Sequence, residues 1–271
     1  MHSNFSTDDV LWTLTFAALL VLLVVLLGRD RARRFPWFTT SIVLLGLDKL
    51  AAKLLYPRLG HIFSGEIFQI KAAEFFLPLA DLSAIVTLLV AIEIARRGFR
   101  GAGRRIWLSG TFVVLAVGGV VLYFWGAWPA FKTLLAGSLI SNLRLMDLFA
   151  QKTDLLANVL MVLIGLLVVI FGRFYKAGWH SHTQQIAIGL TMASVSQLTI
   201  RGASEHIART AVIHSQDDYN RVTGLLRSFQ TAEGIIFLMV LIWWIACLWF
   251  DEPGTEKQGT AIREQGSDDG I

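Results

Sequence analysis

Two aspartates, Asp48 and Asp81, stand inside stretches that are otherwise apolar for the length of a membrane crossing. A carboxylate at the centre of a bilayer costs at least ~2.5–3.5 kcal/mol on insertion scales, so it normally faces a partner or a wet cavity. The expectation is therefore a polar site inside a helical membrane bundle. Asp48 lies ~16 Å into its span, close to the bilayer midplane. Ser41, Leu45, Asp48 and Ala52 follow one face of that helix, while Lys49, Lys53 and Tyr56 follow the adjoining one. Two readings stay open for this sector. It lines a cavity, or an Asp–Lys pairing tethers neighbouring helices while Lys53 snorkels outward.

Glu74 and Asp81 are seven residues apart on one face of the next span, with Pro78 between them. Proline removes a backbone hydrogen bond and bends a helix, which can open it to water. Asp81 is read either as a cavity residue or as an interhelix hydrogen-bonding group. Glu93 sits at helical spacing from Arg96 and Arg97 and reads as an interfacial ion pair. Ser194, Gln197, Arg201 and Ser204 recur at spacings of three and four, a polar stripe that should face the bundle rather than lipid. Arg201, Glu205 and Arg209 are four apart in turn, which permits a ladder of ion pairs. Arg201 is the first choice for contacting an anionic ligand or Asp81; the alternative is a ladder that simply closes the helix end. Asn158 and Glu233, just inside their spans, are candidates for lining an outer vestibule.

These residues need elements to position them. Apolar runs of about 20 residues predict membrane helices near 10–27, 37–56, 72–95, 106–128, 155–171, 186–208 and 230–250. Pro36 and Pro57 bound the second. Residues 131–150 are too polar to span, and their apolar periodicity predicts an amphipathic helix on the membrane surface. Together, 1–250 form an all-α integral membrane domain, a bundle of seven transmembrane helices. Residues 251–271, rich in Gly, Glu, Asp and Gln, read as a disordered tail.

The 29–34 and 96–105 loops hold nine arginines between them. The positive-inside rule then puts these loops and the C-terminus in the cytoplasm and the N-terminus outside. Acids before the first helix, and a first apolar run too long for a signal peptide, predict a retained anchor. Short loops favour a bacterial inner (plasma) membrane.

With 55% hydrophobic and 16% charged residues, the chain belongs to the membrane class, and its partner is the lipid bilayer. Arginine clusters flank apolar helices rather than forming a basic reading face, which argues against nucleic acid. The single Cys247 excludes an intrachain disulfide. There is no HExxH, GxSxG or glycine-rich phosphate loop. The six histidines are scattered, with His180 and His182 assigned to a cytoplasmic loop, so no metal or haem is expected. Intramembrane aspartyl proteases also use two membrane aspartates, but Leu45–Gly46–Leu47–Asp48 lacks the glycine that family places directly before its Asp. Seven helices with an outside N-terminus resemble microbial rhodopsins and seven-helix receptors in count and orientation alone. No lysine occurs between Arg227 and Lys257, so retinal, which those pigments attach to a lysine of the last helix, is disfavoured, and no cofactor is expected.

The leading expectation is a receptor- or sensor-like protein without its own effector domain. Its outward-facing polar cavity would bind a small polar or ionic ligand and signal to a cytoplasmic partner at the Arg-rich loops. A proton- or cation-coupled transporter or channel is the alternative, an intramembrane enzyme a minor one. A homo-oligomer is compatible with either.

Overall fold

A computed structural model describes residues 7–63, 65–98, 104–125, 139–172, 181–211 and 215–250. Eight helices run through them. They are α1 (Thr7–Gly28), α2 (Arg31–Arg34), α3 (Pro36–Ile62), α4 (Gly65–Gly98), α5 (Arg104–Phe124), α6 (Leu139–Gly172), α7 (His182–Thr210) and α8 (Gln216–Trp249). No strand occurs among the described residues. Among the described residues four stretches are long and apolar enough to cross a membrane, Thr7–Gly28, Ile67–Gly98, Ser141–Leu167 and Gln216–Trp249, which marks a membrane-embedded helical protein. Charge and polarity set α3 and α7 apart. Helix α3 carries Asp48, Lys49, Lys53 and Arg58, and α7 carries its polar stripe.

Several boundaries differ from the sequence expectation. Pro57 does not end α3, which continues to Ile62; a proline deletes one hydrogen bond, and the surrounding turns carry the helix past it. The surface helix expected over 131–150 is, from Leu139 onward, the first turns of α6 and continuous with the span expected at 155–171. No glycine or proline separates Leu139 from Ile164, so nothing breaks the backbone. Residues 131–138, like the tail at 251–271, lie outside the described residues. Helix α7 starts at His182, buried at 2% exposure rather than in a loop, and Ser181 caps it by accepting from the Gln184 N–H. Helix α8 starts well before 230, at a capping box. There the Asp218 N–H donates to Ser215 Oγ at 3.1 Å, and the Ser215 N–H donates back to the Asp218 carboxylate at 3.2 Å.

Six helices form a closed ring in the order α1, α3, α4, α6, α7, α8, and α5 packs outside the ring against α6. Side-chain contacts fix the helix directions. Lys53 near the end of α3 pairs with Asp9 at the start of α1 at 2.5 Å. Arg227 in the first half of α8 reaches Asp8 of α1. At the opposite end, Arg29 lies over the Trp249 ring at 5.5 Å and Arg97 over Phe35 at 4.8 Å. The bundle thus has an amino-terminal end, with Asp8 and Asp9, and an arginine-loop end, with Arg29 and Arg97.

The arginine-loop end is the packed one. Phe35, Phe38, Trp244, Leu26, Ile94, Ile186 and Leu248 are all less than 2% exposed, and Phe38 meets Trp244 edge-to-face at 5.0 Å. Lipid tails are as apolar as these side chains, so close packing rather than water exclusion holds such helices together. Two glycines allow it. A Cβ at Gly189 would overlap the Trp244 indole nitrogen, and one at Gly165 would overlap the Thr191 hydroxyl. Thr191 donates that hydroxyl back to the Ala187 carbonyl at 2.7 Å. The outward face is apolar, with Val24, Leu27, Phe112 and Ile242 exposed where acyl chains would cover them.

Candidate functional site

A cavity of about 430 Å³ opens among α1, α3, α7 and α8 towards the amino-terminal end. Each helix brings the face that continues, further along, into the packed core. On α1, Asp8, Leu11, Trp12 and Thr15 line the cavity and Leu19, Leu22 and Leu26 follow in the core. On α3 the inward row is Phe38, Ile42, Leu45 and Lys49. On α8 it is Arg227, Gln230, Gly234, Phe237, Leu241 and Trp244, with Glu233 beside Gly234. These are spacings of three and four, so one stripe is polar at one end and apolar at the other. Helix α7 adds Ala193, Ser196 and Gln197.

The walls are pinned by short contacts. Trp12 Nε1 donates to the Lys49 carbonyl at 3.4 Å, joining α1 to α3. A Cβ at Gly234 would lie 2.7 Å from Leu11 Cδ2, so α8 meets α1 closely there. At the rim, Arg227 Nε donates to Asp8 Oδ2 at 3.2 Å, and its terminal nitrogen makes a second, shorter bond to the same oxygen. The side chains of Lys49 and Glu233, by contrast, have no hydrogen-bond or ion-pair partner among the described residues. Trp244 lies seven residues beyond Phe237 on α8, ~10 Å further along the axis, in the packed core on the arginine-loop side of the cavity.

Three of the residues singled out from sequence, Lys49, Gln197 and Glu233, share this cavity. Asp48 does not. It is half-buried on the neighbouring face of α3, without a described partner, and the lysine beside it faces inward instead. The expected Asp48–Lys pairing is replaced by Lys53 to Asp9. Glu74 forms a local pair with Lys71 at 2.7 Å.

Arg201, Glu205 and Asn158 belong to a second cluster, where α6 and α7 meet the end of α5. Arg201 pairs with Asp154 at 3.5 Å and with Glu205 at 3.6 Å, and Arg209 pairs with Glu205 at 3.6 Å, so the ladder is present. Trp125 Nε1 donates to Glu205 at 3.2 Å, and Asn158 holds Asp154 with bonds at 3.0 Å to its carbonyl and 3.2 Å to its carboxylate. Asp81 is not brought to Arg201. Its Oδ1 is buried without a hydrogen-bond partner, and its charged neighbour is Asp147 of α6. Proximity along the ring explains this: α4 packs chiefly on α3 and α6, while Arg201 already has Asp154 within reach.

Thr15, Ser196, Gln230 and Asp154 are missed by sequence reasoning. The signal for Gln230 was available, because it stands three residues before Glu233 and seven before Phe237. Thr15 had none, being one of two threonines in an uncharged run. Glu93, read as an interfacial pair, does pair with Arg97 at 3.1 Å. It is also buried, and its other oxygen accepts from the Phe38 N–H of α3 at 3.2 Å. Among the described residues no three His, Cys, Asp or Glu side chains converge as metal ligands would.

Compared with protein-family models, curated proteins and solved structures, the chain finds no match.

Proposed function

We propose that this protein is a seven-span membrane receptor or sensor whose cavity, open at the amino-terminal end, binds a small polar or ionic ligand. The observation that carries the reading is the asymmetry of the ring. Lys49, Gln197 and Glu233 gather in a cavity at one end, and Phe38 and Trp244 seal the other. A pocket of ~300–1,000 Å³ with a few convergent polar groups is what small-molecule sites look like. In this reading the seven helices longer than α2 all cross the membrane. The arginine-loop end faces the cytoplasm, in agreement with the positive-inside rule, and the membrane is a bacterial inner membrane. Ligand binding would shift α7 and α8 against α1 and α3, and a cytoplasmic partner would read the change at the 29–34 and 96–105 loops.

Transport is the second reading, and it requires the Phe38–Trp244 contact to part. One labelling experiment tests both. Ser196→Cys is introduced in a Cys247→Ser background and treated with a membrane-impermeant maleimide in sealed vesicles of each orientation. Labelling from the amino-terminal side alone supports the receptor reading, and labelling from both sides supports transport. A cysteine protected from both sides refutes the cavity.

A further inference from the structure

We propose that the cavity is made for a small zwitterion, a molecule with an ammonium or quaternary ammonium group at one end and a carboxylate at the other. The inference rests on reading the cavity as a ligand site and adds the chemistry of the ligand. Four charged side chains reach the cavity, Asp8, Lys49, Arg227 and Glu233. Asp8 and Arg227 pair with each other across the α1–α8 seam. That leaves one cation and one anion. Lys49 and Glu233 pair neither with each other nor with any other described residue. They belong to α3 and α8, which touch through Phe38 and Trp244 at the sealed end and are separated by the cavity at this level.

Two opposite charges held apart in a membrane bundle are costly until each has a counter-charge. A cationic ligand would satisfy Glu233 and leave Lys49 facing a second positive charge. An anionic ligand would do the reverse. A neutral polar molecule would pair with neither. A zwitterion satisfies both and keeps the cavity neutral overall. Gln197, Gln230, Thr15 and Ser196 supply hydrogen-bonding groups between the two poles, so the charged ends need not be bare of other contacts. Charge-assisted hydrogen bonds are the strong ones, so a ligand that meets both poles gains more than one held by neutral hydrogen bonds alone.

The test uses the full chain in lipid nanodiscs and titration calorimetry. The probes are glycine, 3-aminopropanoate, 4-aminobutanoate, 5-aminopentanoate and glycine betaine, which vary the separation and bulk of the two charges. Butylammonium and butanoate carry one charge each. At least one zwitterion should bind about tenfold or more tightly than either single-charge probe, as loss of a charged hydrogen bond implies. Lys49→Met should bring that zwitterion down to the affinity of butylammonium, and Glu233→Gln should bring it down to that of butanoate. Lys49→Arg should keep the preference, which separates loss of charge from loss of fold. A single-charge probe binding as well as every zwitterion overturns the proposal, and so does binding of none of the seven. Labelling of Ser196→Cys then tells the two failures apart: a labelled cysteine leaves the ligand site standing with a different ligand class, whereas a protected one removes the site itself.

Discussion

Removing the Glu93 carboxylate should loosen the arginine-loop end of the bundle more than any other single charge deletion. Glu93 is 8% exposed and makes two bonds of different kinds. One oxygen accepts from the Phe38 N–H in the first turn of α3, which would otherwise go unsatisfied; Pro36 opens that helix, and no side chain of its own caps it. The other oxygen pairs with Arg97, which in turn lies over the Phe35 ring at 4.8 Å. A hydrogen bond to a buried charge contributes ~1.5–3 kcal/mol. The partly exposed ion pair adds ~1 kcal/mol, and the cation held over the ring ~0.5–1 kcal/mol. Glu93→Ala should therefore cost ~3–5 kcal/mol, the range found when one partner of a buried pair is deleted. Glu93→Gln keeps an acceptor for Phe38 and should cost ~1–2 kcal/mol less. The assay is reversible unfolding in mixed micelles, followed by intrinsic tryptophan fluorescence, with Arg97→Met completing a double-mutant cycle. Coupling of ~1 kcal/mol between Glu93 and Arg97 is expected. Loss of less than ~0.5 kcal/mol in Glu93→Ala, the size of an ordinary surface change, would refute the idea that this carboxylate joins α4 to α3.

Gly189→Ala should cost ~1–3 kcal/mol by pushing the Trp244 indole from its seat, and Gly189→Ala with Trp244→Phe should recover part of it in the same unfolding assay. Arg201→Met and Asp154→Asn should each cost ~1 kcal/mol, and the double variant less than their sum, because one ion pair is removed in all three; strict additivity would show that the α6–α7 cluster is not a unit. In the seven-span arrangement, cysteines placed at Ser3 and Ser267 in a Cys247→Ser background should label from opposite sides of the membrane, and labelling of both from one side would sink that topology. Lys53→Met should loosen α1 from α3 at the amino-terminal end, seen as faster hydrogen exchange over residues 8–15, since the Asp9 pair joins those helices there.

Much of the fold is legible in the sequence for a simple reason. Whether a segment crosses the membrane depends on its own hydropathy, a local property, so the apolar runs in α1, α4, α6 and α8 declare themselves. The ladder of Arg201, Glu205 and Arg209 is legible too, because residues four apart on a helix must be neighbours. Which face turns inward is another matter. Asp48 and Lys49 differ by one residue, ~100° around the α3 axis, and both faces of that helix carry polar groups. Only the placement of α1 and α8 beside α3 puts Lys49 in the cavity and leaves Asp48 outside it. Arg201 shows the same limit. Asp81 and Asp154 are equally plausible partners along the chain, and the contact of α6 with α7 assigns Arg201 to Asp154. Hydropathy acts on each helix alone, whereas the order of helices around the ring is a property of how their small residues and aromatic rings fit together. That fit, at Gly165 on Thr191 and Gly189 on Trp244, brings Lys49 and Glu233 to one cavity from helices far apart in sequence.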